Sequence, residues 1–222
     1  MASKSTFNKL IKAVQGGDEV ECARVLGLKT ADINKKCVTF GISAILEACN
    51  GGHVSVVALL LSKGANINDK NNTGYSSIIL ASRGGHVSVV ELLLSKGANI
   101  NDKSNNGYSS IIWASRCGHL SVVEFLLSKG ANISDKDNDG WSSIIWASRW
   151  SRVSVVELLL SKGVNTNDIS NNESTMSLTS SVKILNILSK WPITMAILIL
   201  KELDLYYFYD ASTLIDLYQY LG

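Results

Sequence analysis

The chain has 222 residues, 46% hydrophobic and 18% charged, a composition that excludes a largely disordered polypeptide. Its 21 basic and 19 acidic residues leave a net charge of +2, too balanced for composition to indicate nucleic-acid binding. The cysteines at 22, 37, 49 and 117 have no CxxC or zinc-type spacing and read as reduced thiols; with no signal-peptide core and no membrane-length apolar run, they imply a cytoplasmic protein.

Residues 1–37 open with Leu10-Ile11-Lys12-Ala13-Val14, an apolar helical stretch, followed by Gln15-Gly16-Gly17-Asp18. Ala31-Asp32-Ile33-Asn34 then echoes Ala98-Asn99-Ile100-Asn101 further along. The charges Lys9, Lys12, Asp18, Glu19, Glu21 and Arg24 suit the polar outer face of a terminal unit, so this segment is expected to be a divergent capping repeat.

From residue 38 a 33-residue period governs the chain. Near-copies of one string begin at Ser55, Ser88, Ser121 and Ser154, and Gly41, Gly74, Gly107 and Gly140 keep the same step. Residues 74–103 and 107–136 agree at 25 of 30 positions, so each unit must pack on near-copies of itself. In the unit 71–103, Asn71-Asn72-Thr73-Gly74 is turn chemistry, and Ser76 is placed to cap a first helix bearing Ile78, Ile79 and Ala81. Gly84-Gly85 ends that helix. A second, from about Val87 to Lys96, carries Val89, Val90, Leu92, Leu93 and Leu94 and stops at Gly97. Helices of two to three turns are too short to stand alone, so the apolar faces must be buried between units. The regular units are 38–70, 71–103, 104–136 and 137–169.

The register fades after Asp168. A Ser/Thr/Asn-rich stretch from Ser170 to Ser181 leads to Val182–Leu188, and Pro192, the chain's only proline, is placed to open another helix. Residues 170–222 are expected to form a degenerate last repeat and a helical C-terminal cap. Segment charge falls from +3 over residues 1–37 to −2 over 170–222.

The period, the Ala81-Ser82-Arg83-Gly84-Gly85-His86 link and the Leu-Leu-x-x-Gly-Ala-x-x-Asn close resemble the ankyrin repeat. The usual Thr-Pro-Leu-His opening is replaced by Ser76-Ser77-Ile78-Ile79 and its counterparts. An Ile ladder thus stands in place of a polar one, with some expected loss of polar specificity between repeats. The resemblance implies an all-α ankyrin-repeat solenoid of stacked helix-turn-helix units with helical terminal caps. It also implies a non-catalytic module that binds a protein partner through a concave groove.

The positions that face this groove in the family map to Ile42, Tyr75, Tyr108 and Trp141, and to Asn50, Arg83, Arg116 and Arg149 with their neighbours Gly51, Gly84, Cys117 and Trp150. Tyr75, Arg83, Tyr108, Arg116, Trp141, Arg149 and Trp150 are therefore the candidate protein-binding residues, of the types that dominate binding hot spots. Trp113 and Trp146, just before the helix alanine, are expected to be buried between repeats. His53, His86 and His119 recur at the repeat period and read as helix-start residues, with Arg152 in their place in the fourth unit. Lys63, Lys96, Lys129 and Lys162 precede the capping glycines, where positive charge suits a helix C-terminus.

No catalytic constellation, phosphate loop or metal-ligand set is present, so no enzyme activity, small-molecule substrate, cofactor, metal or membrane partner is expected. Two alternatives to a simple binding module remain. Trp191-Pro192 followed by Ile199–Leu203 faintly resembles the opening of an F-box or a viral ankyrin-associated box, which implies an adaptor whose C-terminal helices (190–222) recruit a ubiquitin-ligase-type protein. The aromatic and arginine residues would suit a single-stranded nucleic acid, against which the small net charge argues.

Overall fold

A computed structural model describes residues 2–28 and 31–164. Ten helices lie among them, arranged as successive antiparallel pairs: α1 (Ala2–Gln15) with α2 (Glu19–Leu26), α3 (Ala44–Gly51) with α4 (Val54–Ser62), and α5 (Ser77–Gly84) with α6 (Val87–Ser95). The series continues with α7 (Ser110–Cys117) and α8 (Leu120–Ser128), then α9 (Ser143–Arg149) and α10 (Val153–Ser161). Apart from α1, with 14 residues, none exceeds 9. Their stability comes from one apolar core that runs through every pair. The expected helix-turn-helix solenoid is the observed fold.

Side-chain size sets the shape of the stack. The first helices of the pairs meet through small buried residues: Ala44 and Ala48 on α3, Ser77 and Ala81 on α5, Ser110 and Ala114 on α7, Ser143 and Ala147 on α9. The second helices meet through larger ones, such as Val56, Val57 and Leu60 on α4 or Val89, Val90 and Leu93 on α6. The first-helix row is accordingly packed more closely than the second-helix row, so the stack bends with α3, α5, α7 and α9 on its concave side. Ile78, Ile79, Ile111 and Ile112 form the expected ladder, all buried.

Between pairs the chain makes a hairpin, closed by isolated antiparallel bridges Lys36–Ser43, Lys70–Ser76, Lys103–Ser109 and Lys136–Ser142. Helices α3, α5 and α7 end on the left-handed glycines Gly52, Gly85 and Gly118 for two reasons at once. Gly85 has φ +79°, and a Cβ there would sit 2.7 Å from Nδ1 of His119 in the next unit.

One expectation from the sequence is corrected. Ser43, Ser76, Ser109 and Ser142 do occupy N-cap positions with extended backbone, yet their hydroxyls cap nothing and lie buried without a partner. The bridge to the preceding lysine holds the serine backbone and turns the hydroxyl into the packed interface. Only Asp18 caps by its side chain among the described helices, Oδ1 accepting from Glu21 N at 2.9 Å.

Polar contacts between repeats lie elsewhere than at the opening motif. Lys36, Lys70 and Lys103 each pair with an aspartate of the next unit, namely Asp69, Asp102 and Asp135. The same ammonium groups donate to the carbonyls of Lys70, Lys103 and Lys136 at 2.7, 3.1 and 2.8 Å. Asn72, Asn105 and Asn138 join the hairpin tips, Nδ2 of each donating to a carbonyl one unit earlier at 3.2, 3.1 and 2.9 Å.

Candidate functional site

The hairpins and the first helices together build a ladder of rings on the concave side. Tyr75, Tyr108 and Trp141 each follow a left-handed glycine, and the preceding turn anchors their backbone. Tyr75 N donates to Asn71 Oδ1 at 2.9 Å, Tyr108 N to Ser104 Oγ at 3.1 Å and Trp141 N to Asp137 Oδ1 at 2.9 Å. With the backbone fixed, the rings lean onto the tryptophans of α7 and α9. Trp113 lies between Tyr75 and Tyr108, at centroid distances of 5.8 and 5.1 Å. Trp146 lies between Tyr108 and Trp141, at 5.7 and 4.8 Å. Offset and edge contacts at these distances are the favoured arrangements of aromatic pairs.

Trp113 and Trp146 are thus not buried between repeats, contrary to expectation; both are half-buried members of the ladder. The space between α5, α7 and α9 is filled by Ala and Ser, which leaves no room for an indole, so the rings lie across the concave face instead. Leu80, at the same position in α5, is small enough to be buried. Trp146 Nε1 donates to Asp137 Oδ2 at 2.8 Å, whereas Ser104 stands at the equivalent place in the preceding unit and Trp113 Nε1 has no acceptor.

Arginines cover the rings. The Arg116 guanidinium sits 4.7 Å from the Trp113 ring, 4.6 Å from Trp146 and 5.4 Å from Trp150. Arg83 lies 5.3 Å from Trp113, and Arg149 5.0 Å from Trp141. Trp113 and Trp146 thus join five of the seven candidate binding residues directly, while Arg149 is linked through Trp141 and Trp150 through Arg116. The sequence signal that pointed to Trp113 and Trp146 was their chemical identity with the rest of the row; their position before the helix alanine was misleading. Tyr108 shows the electrostatics of the site: burial raises its hydroxyl pKa, Asp137 adds to the rise, and Arg116 opposes it. Trp150 is 47% exposed, the most open ring of the set.

His86 and His119 have structural partners in the preceding unit. Nε2 of His86 donates to the carbonyl of Asn50 at 3.0 Å and Nε2 of His119 to that of Arg83 at 2.9 Å. Arg152 fills the same role, its Nε donating to the Arg116 carbonyl at 3.1 Å. Among the described residues no three His, Cys, Asp or Glu side chains come together as a metal site would require, and no helix is long and apolar enough to cross a membrane. The candidate recruiting box at 190–222 lies outside the described residues.

No curated protein matches the chain. A family model described as ankyrin repeats (3 copies) matches it over residues 10–104 and 101–170, most of its length and all of the helix pairs that carry the ladder. The chain belongs to the ankyrin-repeat family.

Proposed function

We propose that the chain is a non-catalytic protein-binding module that holds its partner on the concave face, through Tyr75, Arg83, Tyr108, Arg116, Trp141, Arg149 and Trp150, with Trp113 and Trp146 as their support. Ankyrin repeats generally mediate protein–protein interaction, which supports the coarse reading. The observation that carries the finer one is the cluster of Arg116 with three indoles on the concave face. Aromatic and arginine side chains fixed in place before binding lose little entropy on association. In this reading residues 1–37 are a cap and the units 38–70, 71–103, 104–136 and 137–169 supply the surface. The four unpaired thiols suit a reducing, cytoplasmic setting.

The test replaces Arg116 and Trp150 together with Ala. The expected result is a partner recovered from extracts of the source cell by the native chain and lost with the double variant, while thermal unfolding shifts by only a few degrees. A large fall in the unfolding temperature with undiminished capture would assign these residues to the architecture.

A further inference from the structure

Two arginines of the ladder, Arg83 and Arg116, differ from Arg24, Arg152 and the hairpin lysines. Arg24 is paired with Glu21, Lys36, Lys70 and Lys103 with aspartates, and Arg152 donates to a carbonyl. Arg83 and Arg116 make ring contacts, and among the described residues their guanidinium N–H groups have no carboxylate or carbonyl acceptor. A guanidinium carries its donors in its plane, so stacking on Trp113 and Trp146 occupies the faces and leaves the edges free for two-point recognition of an oxyanion.

The row of rings also has a defined end. One period before Tyr75 the residue is Ile42, and one period before Leu80 it is Glu47. Without an aromatic side chain there, the face opens into a cavity of about 600 Å³ between α1 and the first hairpin, lined chiefly by Phe7, Ile11, Phe40 and Ile42, with Lys12 and Glu47 at its rim. Phe40 is 64% exposed beside it, at a hairpin position where later units carry Thr73, Asn106 and Asp139.

We propose that the partner presents an extended acidic segment, with carboxylates on the edges of Arg83 and Arg116 and one bulky apolar side chain in the cavity between Phe7, Ile11, Phe40 and Ile42. The inference rests on the concave face being the binding surface and adds the chemistry of what binds. Separate carboxylates fit this face better than a continuous polyphosphate. Glu47 stands at one end of the row and Asp139 at the other, so a charge-dense strand would meet acids at both.

The probe is a random-peptide display library selected on the full chain, followed by fluorescence titration of the strongest peptide. Selected peptides are expected to be enriched in Asp or Glu together with a bulky apolar residue. Arg83→Lys and Arg116→Lys keep the charge but lose the fork, and each is expected to weaken the peptide about tenfold. Ile42→Trp, which places a ring in the cavity, is expected to weaken it about tenfold as well, as is exchange of the peptide's apolar residue for Ala. Circular dichroism melts establish that each variant is folded. Selection without acidic enrichment, unchanged affinity in both Lys variants, or no selected peptide that depends on Arg83 and Arg116 would overturn the inference. The concave-face reading fails independently of this, by undiminished capture of the native partner with the Arg116 and Trp150 double variant.

Discussion

Cys49 occupies the position that serine takes in the later units, at 82, 115 and 148. Fully buried on α3, its thiol is pushed up to about 12 by loss of water, with the nearby Ser77 hydroxyl opposing the rise. Cys22 is pushed up to about 11, again mainly by burial, with Asp18, Glu21 and Glu19 adding to the rise. Folding therefore favours the protonated thiol. The associated stability is complete below the ordinary thiol value of 9.0 and is lost as the pH climbs through the alkaline range towards the folded-state values. Because serine does not titrate there, the stability of the native chain relative to Cys49→Ser is expected to fall between pH 9 and 11 by roughly 1 kcal/mol per pH unit, as urea unfolding would measure. A difference independent of pH would show that Cys49 is not held as the neutral thiol. That Cys49 is structural could be read from its place in the repeat; that Trp113 is not could not. Its neighbours in sequence mark it as core, and only the width left between α5 and α7 excludes it.

At the scale of elements, the ends of the helices were legible because glycine and turn residues recur with the period, and the polar ladders were not. The pairs Asp69-Lys70, Asp102-Lys103 and Asp135-Lys136 stand in the sequence as plainly as the leucines do. Repetition alone does not say that Lys70 reaches forward to Asp102 in the next unit instead of pairing with its neighbour Asp69, which is instead bound by Lys36. The same holds for Asn72, Asn105 and Asn138. The fourth unit shows what a departure from the repeat costs. Helix α9 stops at Arg149, Trp150 replaces the residue equivalent to Cys117, and Ser151 takes the left-handed place held elsewhere by Gly52, Gly85 and Gly118, at φ +52°. A non-glycine residue in that region is strained by about 1 kcal/mol. Ser151→Gly is therefore expected to raise stability by roughly that amount and the unfolding temperature by a few degrees, read from thermal melts. A fall would mean that the serine's other contacts outweigh the strain.

Across the whole molecule, the period dictates a stack, the alternation of small and large buried residues bends it, and the bend gathers rings and arginines onto one side. Among the described residues the second-helix row offers no comparable aromatic content, and α8 with its C-cap exposes Glu124, Ser128 and Lys129. The two sides can be compared in a single experiment. A photo-reactive benzoylphenylalanine is placed at Tyr108 on the concave face in one protein and at Glu124 on the outer helix row in another, and each is irradiated in extract of the source cell. A partner bound on the ladder gives a covalent adduct from position 108 and none from 124. Adducts from 124 alone would contradict the concave face as the binding surface.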